Sequence, residues 1–127
     1  MGYVDAWIVR FEDEFEQEFL ALQQGVQDEL LAAATILAEY GPLLGRPYVD
    51  TLKGSKHANM KELRFDAAGE IWRVAFAFDP RRQAILLVAG DKAGVSQDRF
   101  YKQLIAKADK RFTVHLERLK KASMRRG

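Results

Sequence analysis

The chain has 127 residues, of which 48% are hydrophobic and 30% charged, with a net charge of +2, a balance typical of a folded domain. It has no cysteine and no apolar run near the roughly 20 residues of a membrane span, so disulfides, cysteine-based zinc sites, thiol nucleophiles and a membrane partner are not expected. The opening residues turn acidic where a signal peptide would carry its apolar segment, which predicts a cytoplasmic protein folded as one domain over residues 1–127.

The first part of the chain is predicted to form a short strand and a helical hairpin. Residues Ala6 to Phe11 are rich in β-formers and indicate a strand. Apolar residues then recur every three or four positions up to Tyr40, which predicts helices with one buried face. Because a glycine inside a helix costs about 1 kcal/mol relative to alanine, we predict that the hairpin turns at Gly25. The second helix should end before Gly41.

The remainder is predicted to form a long loop, a three-stranded antiparallel meander and a C-terminal helix. The loop spans residues 41–59, and loops of this length in small domains are often functional. The strands are the β-prone runs Met60 to Phe65, Glu70 to Asp79 and Gln83 to Asp91. Helical spacing resumes at Ser96, an N-cap residue, and continues to about Leu119, after which the basic end should fray. This order of elements predicts an α+β fold.

Charge is divided strongly along the chain. Residues 1–40 carry one basic and nine acidic residues, 1 − 9 = −8, so the remaining residues carry +10. Such asymmetry suggests an acidic structural half and a basic half that binds a polyanion, although exposed helices also carry solvated charge.

Arg73 is the most informative cation, because it lies in the predicted central strand between Trp72 and Val74. Alternation places it on the less bulky face of that strand, where a partly buried guanidinium needs an anionic partner. That partner is either a ligand phosphate or a carboxylate on a neighbouring strand, Glu62 or Asp91.

A set of basic residues surrounds the predicted meander, with Phe100 and Tyr101 among them. Its members are Lys53, Lys56, Lys61, Arg64, Arg73, Lys92, Arg99 and Lys102. Such a groove of donors suits a phosphodiester, and the sequence contains no motif for a metal, a nucleotide cofactor or a conventional hydrolase triad. The residues themselves are compatible with RNA binding and with metal-independent RNA cleavage.

The order of the motifs L-K-G, E-L-R-F, W-R-V-A-F and a strand ending G-D-K resembles the RelE/ParE toxin superfamily, in particular its phage-derived HigB-like branch. This resemblance covers nearly the whole chain. It implies a RelE-like fold and a metal-independent endoribonuclease, without a cofactor, that cuts mRNA on the ribosome. It also implies neutralisation by a small antitoxin, usually a helix-turn-helix protein.

The resemblance also implies roles for single residues. Arg64 and Arg73 match strand arginines that contact the scissile phosphate, Lys92 matches a basic residue that assists the leaving group or the phosphate, and Tyr101 matches a C-terminal tyrosine. These four are the predicted catalytic residues. The predicted RNA-binding residues are Lys53, Lys56, Lys61, Arg99 and Lys102.

The sequence departs from RelE in the first strand of the meander. Met60 and Glu62 stand where RelE has two lysines, so the general base is not assigned, and Lys61 should point to the opposite face of the sheet. A ParE-like gyrase inhibitor would share the fold without needing the phosphate-binding residues. A non-catalytic RNA-binding module is the third alternative.

Overall fold

The computed structural model describes residues 6–126, which form a five-stranded sheet with helices on both faces. The elements are β1 (Ile8–Phe11), α1 (Asp13–Leu20), α2 (Gln24–Tyr40), β2 (Val49–Thr51), β3 (Lys61–Ala67), β4 (Glu70–Phe78), β5 (Gln83–Asp91) and α3 (Gln97–Arg126). The strand order is β1-β5-β4-β3-β2, with β1 parallel to β5 and all other pairs antiparallel. The predicted α+β class and the β3-β4-β5 meander are confirmed. Within residues 6–126, no helix is both long and apolar enough to cross a bilayer.

Two hydrophobic cores lie on opposite faces of the sheet. Helices α1 and α2 cover one face, and α3 covers the other. Strand β4 contributes to both cores, because Val74 and Phe76 pack towards α1 and α2 while Ala75 and Ala77 pack towards α3. This alternation is the one predicted for the central strand. Arg73 therefore lies on the face of the sheet that α3 covers.

The turn between α1 and α2 lies at residues 21–23, so the prediction of a turn at Gly25 is wrong. Gly25 instead occupies the first turn of α2. The terminal carbonyl groups of a helix need partners outside the helix. The side-chain amide of Gln27 donates to the carbonyl of Leu20, the last residue of α1, at 3.3 Å and to the carbonyl of Leu22 in the turn at 2.8 Å.

The loop predicted over residues 41–59 contains an additional strand, β2, at the edge of the sheet. Val49 pairs with Leu63 and Thr51 with Lys61, in antiparallel register. A three-residue strand is too short to produce a detectable alternation. The predicted end of the last helix near Leu119 is also wrong, because α3 continues to Arg126.

Candidate active site

Side chains from three elements meet at the carboxylate of Glu62 on β3. This residue is 3% exposed, and its Oε1 accepts hydrogen bonds from Arg64 Nε at 2.9 Å and from the Tyr101 hydroxyl at 3.0 Å. Arg73 Nε lies 3.6 Å from the same oxygen. Three of the four predicted catalytic residues therefore surround one buried anion.

The register of β3 and β4 explains why the two arginines are neighbours. Arg64 pairs directly with Arg73, and like charges opposite each other destabilise a sheet. Glu62 precedes Arg64 by two positions, so it shares the same face and places a negative charge beside both guanidinium groups. In the described part of the chain, the predicted ion pair of Arg73 is therefore made with Glu62 and not with Asp91.

Helix α3 encloses the guanidinium group of Arg73 from the other side. Its central carbon lies 5.7 Å from the ring centroids of both Phe100 and Tyr101, within the range of a cation–π interaction. Arg73 Nη1 donates to the carbonyl of Ile71 at 3.3 Å, whereas Nε has no hydrogen-bond acceptor among residues 6–126. The hydrogen-bonding capacity of this buried guanidinium is thus only partly used.

Burial, and secondarily the charge of Glu62 and the hydrogen bond to it, raise the pKa of Tyr101 above its ordinary value of 10.0. The phenol therefore stays protonated at neutral pH and donates a hydrogen bond to Glu62. The hydrogen bond with Glu62 is also the largest effect that raises the pKa of Arg64. Two guanidinium groups and one phenol are held around the Glu62 carboxylate, and the N–H capacity of Arg73 that remains unused can bind a further anion such as a phosphodiester.

A β-bulge in β5 sets which of its residues face this site. Leu87 has no register partner on β4 and is the extra residue of the bulge. Leu87 and Val88 consequently both pack in the α3 core, and alternation resumes with Gly90 directly opposite Arg73. A Cβ atom at Gly90 would lie 3.0 Å from Cε1 of Phe100. The absence of a side chain there lets α3 approach the sheet closely.

A cavity of about 480 Å³, lined by three lysines and by the carboxylates of Asp98 and Asp109, adjoins this cluster between the loop before β3 and α3. Lys53, Lys56, Tyr101 and Lys102 are among the residues that line it. The fold thus brings three of the predicted RNA-binding lysines beside a predicted catalytic tyrosine. Among residues 6–126, no three His, Asp or Glu side chains are grouped as a set of metal ligands.

The other three predicted site residues lie apart from Glu62. Lys61 belongs by alternation to the face of Leu63, which packs towards α1 and α2. Lys92 follows β5 and its Nζ lies 3.5 Å from the side-chain oxygen of Gln97. Arg99 is exposed in the first turn of α3. Among residues 6–126, none of these three cations contacts the carboxylate of Glu62.

Sequence reasoning identified Glu62 only as an ion-pair partner for Arg73 and as a departure from RelE. Its contacts with Arg64 and Tyr101 were missed. Strand alternation was a usable signal, because Glu62 and Arg64 are two positions apart on one predicted strand. The contact with Tyr101 depends on how α3 packs, for which the sequence offers no local signal.

Residues 17–113 match the family described as "Phage derived protein Gp49-like". The chain belongs to this family. It is 48% identical over 97 residues to "Putative toxin HigB2" of Mycobacterium tuberculosis (strain ATCC 25618 / H37Rv), covering 75% of this chain and 47% of that relative. It therefore spans about half the length of HigB2. It is 47% identical over 98 residues to "Putative toxin HigB3" of the same organism, covering 77% of this chain and 83% of that relative.

The fold is similar to that of a double-arginine mutant of the E. coli toxin RelE in the free state. The TM-score is 0.58 at 12% sequence identity, covering 80% of this chain and 96% of that chain. This similarity supports the RelE-like fold. Together with the family match and the two HigB relatives, it confirms the resemblance to RelE-like HigB toxins.

Proposed function

We propose that this chain is the toxin of a type II toxin–antitoxin pair and that it is a metal-independent endoribonuclease acting on ribosome-bound mRNA. The observation that carries the proposal is the convergence of Arg64, Arg73 and Tyr101 on one oxygen of Glu62. Donors grouped in this way match the needs of a phosphodiester that gains negative charge during cleavage. Membership of a family with HigB relatives supports the toxin role.

In the proposed reaction, the ribose 2′-hydroxyl attacks the adjacent phosphorus in line with the bond to the 5′ oxygen. The proton of that hydroxyl passes to a base or to water. Arg64 and Arg73 stabilise the extra charge on the phosphoryl oxygens, and Tyr101, held protonated, donates a proton to the departing 5′ oxygen. Glu62 positions the three donors by holding them around its carboxylate. The products are a cyclic phosphate end and a free 5′-hydroxyl.

The proposed partner is a small antitoxin with a helix-turn-helix domain. The two relatives named as putative toxins support the presence of a neutralising protein. Co-expression of such an antitoxin should then abolish toxicity.

Expression of the chain alone tests the proposed function. We expect arrest of growth and translation, and cleaved mRNA with cyclic phosphate or 3′-phosphate ends, measured by primer extension and end-specific ligation. Arrest with intact mRNA and gyrase-linked DNA damage would favour the ParE-like alternative. Protein that retains RNA without cutting it, even with ribosomes present, would favour a non-catalytic RNA-binding module.

A further inference from the structure

One buried carboxylate fixes the basic loop before β3 to helix α3. Asp109 is 6% exposed; its Oδ1 accepts a hydrogen bond from the Ser55 hydroxyl, and its Oδ2 accepts one from the backbone N–H of Lys56 at 2.9 Å. Ser55 Oγ in turn accepts from the backbone N–H of His57 at 2.9 Å. The ring of His57 completes the attachment, since its Nε2 lies 3.0 Å from Thr113 Oγ1. The loop backbone is therefore held against α3 at several consecutive residues.

Asp109 also lines the cavity that contains Lys53, Lys56 and Lys102. Both of its oxygens bond to the loop, to a hydroxyl and a backbone N–H, and neither forms an ion pair with these lysines among residues 6–126. A carboxylate next to three ammonium groups would reduce affinity for an anion by its charge alone. Its contacts indicate that it fixes the loop backbone at Ser55 and Lys56, close in sequence to Lys53.

We propose that this cavity binds the RNA phosphodiester next to the scissile one, and that Asp109 is the positioning residue that presents Lys53 and Lys56 to it. The inference rests on the proposed function. Tyr101 connects the two sites, because its hydroxyl bonds to Glu62 and it also lines the cavity. An RNA strand with one phosphate at the arginine pair continues past Tyr101 to the lysines.

Asp109→Ala tests the inference because charge and positioning predict opposite results. Loss of a negative charge should by itself tighten RNA binding. If Asp109 positions the lysines, binding of a single-stranded RNA oligonucleotide should instead weaken, by roughly three- to tenfold. The slope of log affinity against log salt should become shallower by about 0.7 for each phosphate that the variant no longer binds. Fluorescence anisotropy over a range of salt concentrations measures both quantities.

Two matched variants separate positioning from charge. Asp109→Asn keeps an acceptor oxygen for the loop and should retain most of the binding. Glu117→Gln removes one negative charge at an exposed position of the same helix and should bind RNA as well as or slightly better than the wild type. Circular dichroism and melting temperature confirm that each variant is folded during the assay. Unchanged or tighter binding by folded Asp109→Ala overturns the proposal.

Ser55→Ala provides a second route if Asp109→Ala does not fold. It removes one of the two hydrogen bonds to Asp109 while leaving every charge in place, so we expect a smaller loss of RNA affinity. Wild-type affinity in this variant would count against a positioning role for the attachment.

Cleavage kinetics on ribosome-bound mRNA distinguish this inference from the proposed function. For Asp109→Ala we expect KM to rise by a similar factor while kcat changes little, because the scissile phosphate is bound elsewhere. A wild-type protein that binds RNA but never cuts it refutes the nuclease function and leaves the binding test intact. A wild-type protein that cuts RNA, with KM unaltered in Asp109→Ala, refutes only the second phosphate site.

Discussion

Arg73 has a structural contact and a proposed catalytic one, and its substitution should affect both. Arg73→Ala removes an ion pair with Glu62 and the interaction with the Phe100 and Tyr101 rings, so the melting temperature should fall. If Arg73 also binds the phosphate as charge develops, cleavage by the folded protein should drop by about two to three decades, or roughly 2 to 4 kcal/mol. Thermal denaturation and ribosome-dependent cleavage of the same preparation measure the two effects.

The matched variant Arg73→Lys keeps the charge but loses the planar fork of donors. It should retain more stability than Arg73→Ala and still cut RNA slowly. Wild-type cleavage by folded Arg73→Ala would assign Arg73 a structural role alone.

At the scale of single residues, the sequence was informative wherever a side chain's environment follows from strand alternation. The face of Arg73 was predictable in this way, and Glu62 was one of the two carboxylates named as its possible partner. The contacts of Asp109 were not, because they join residues more than fifty positions apart and depend on where a loop meets α3. Polar attachment of a loop leaves no periodic signal.

At the scale of elements, the absence of a side chain at Gly90 on β5 lets α3 lie close over the site. Gly90→Ala adds a methyl group that would meet Phe100 at 3.0 Å, so the ring and the adjoining Tyr101 must shift. Small displacements of catalytic groups are costly, and we expect cleavage to fall roughly tenfold with a modest loss of stability. Steady-state cleavage and thermal denaturation provide the measurements.

Gly25→Ala is the control for this change. A Cβ at Gly25 meets no atom within 4 Å, and alanine is favoured in a helix, so stability should stay equal or rise by up to about 1 kcal/mol with unaltered cleavage. Normal activity in Gly90→Ala would show that the close approach of α3 is not needed.

Elements whose apolar residues recur at regular spacing were predicted well, and the errors fall where this spacing is absent or misleading. Strand β2 has only three residues, and Gly25 suggests a break although the turn lies before it, at the carbonyls that Gln27 caps. The bulge was undetectable because Leu87 lies within a run of apolar residues that is buried on both sides of it. An extra residue in such a run changes no apolar–polar alternation.

At the scale of the whole molecule, the acidic first third and the basic remainder are joined through Arg111 on α3. This residue is 7% exposed; its Nη2 lies 2.6 Å from Glu18 Oε2 and its Nε 3.1 Å from Glu14 Oε2, both on α1. Its Nη1 also donates to the carbonyl of Leu87 at 2.7 Å. Leu87 is the extra residue of the β5 bulge, so Arg111 supplies a hydrogen-bond donor to a carbonyl group at the bulge. The same side chain connects the bulge to α1.

Arg111→Met should therefore destabilise the fold by about 1 to 3 kcal/mol at neutral pH, because it leaves a buried carbonyl without its donor. The hydrogen bond from Arg111 is the largest effect that lowers the pKa of Glu18 below its ordinary value of 4.5. The folded state therefore favours the ionised form, and this contribution is present above pH 4.5 and is lost as the pH falls through the lowered pKa. The stability difference between wild type and Arg111→Met should accordingly shrink in acid.

Urea denaturation at neutral and acidic pH measures this difference, and Arg118→Met is the matched control. Arg118 pairs with Asp13 of α1 at 2.6 Å, but the two side chains are 61% and 76% exposed. Exposed pairs contribute about 0 to 1 kcal/mol, so this variant should change stability little at either pH. Equal effects of the two substitutions on the free energy of unfolding would mean that the burial of Arg111 against the bulge adds no stability. The contacts between α1 and α3 would then contribute only as exposed charge pairs.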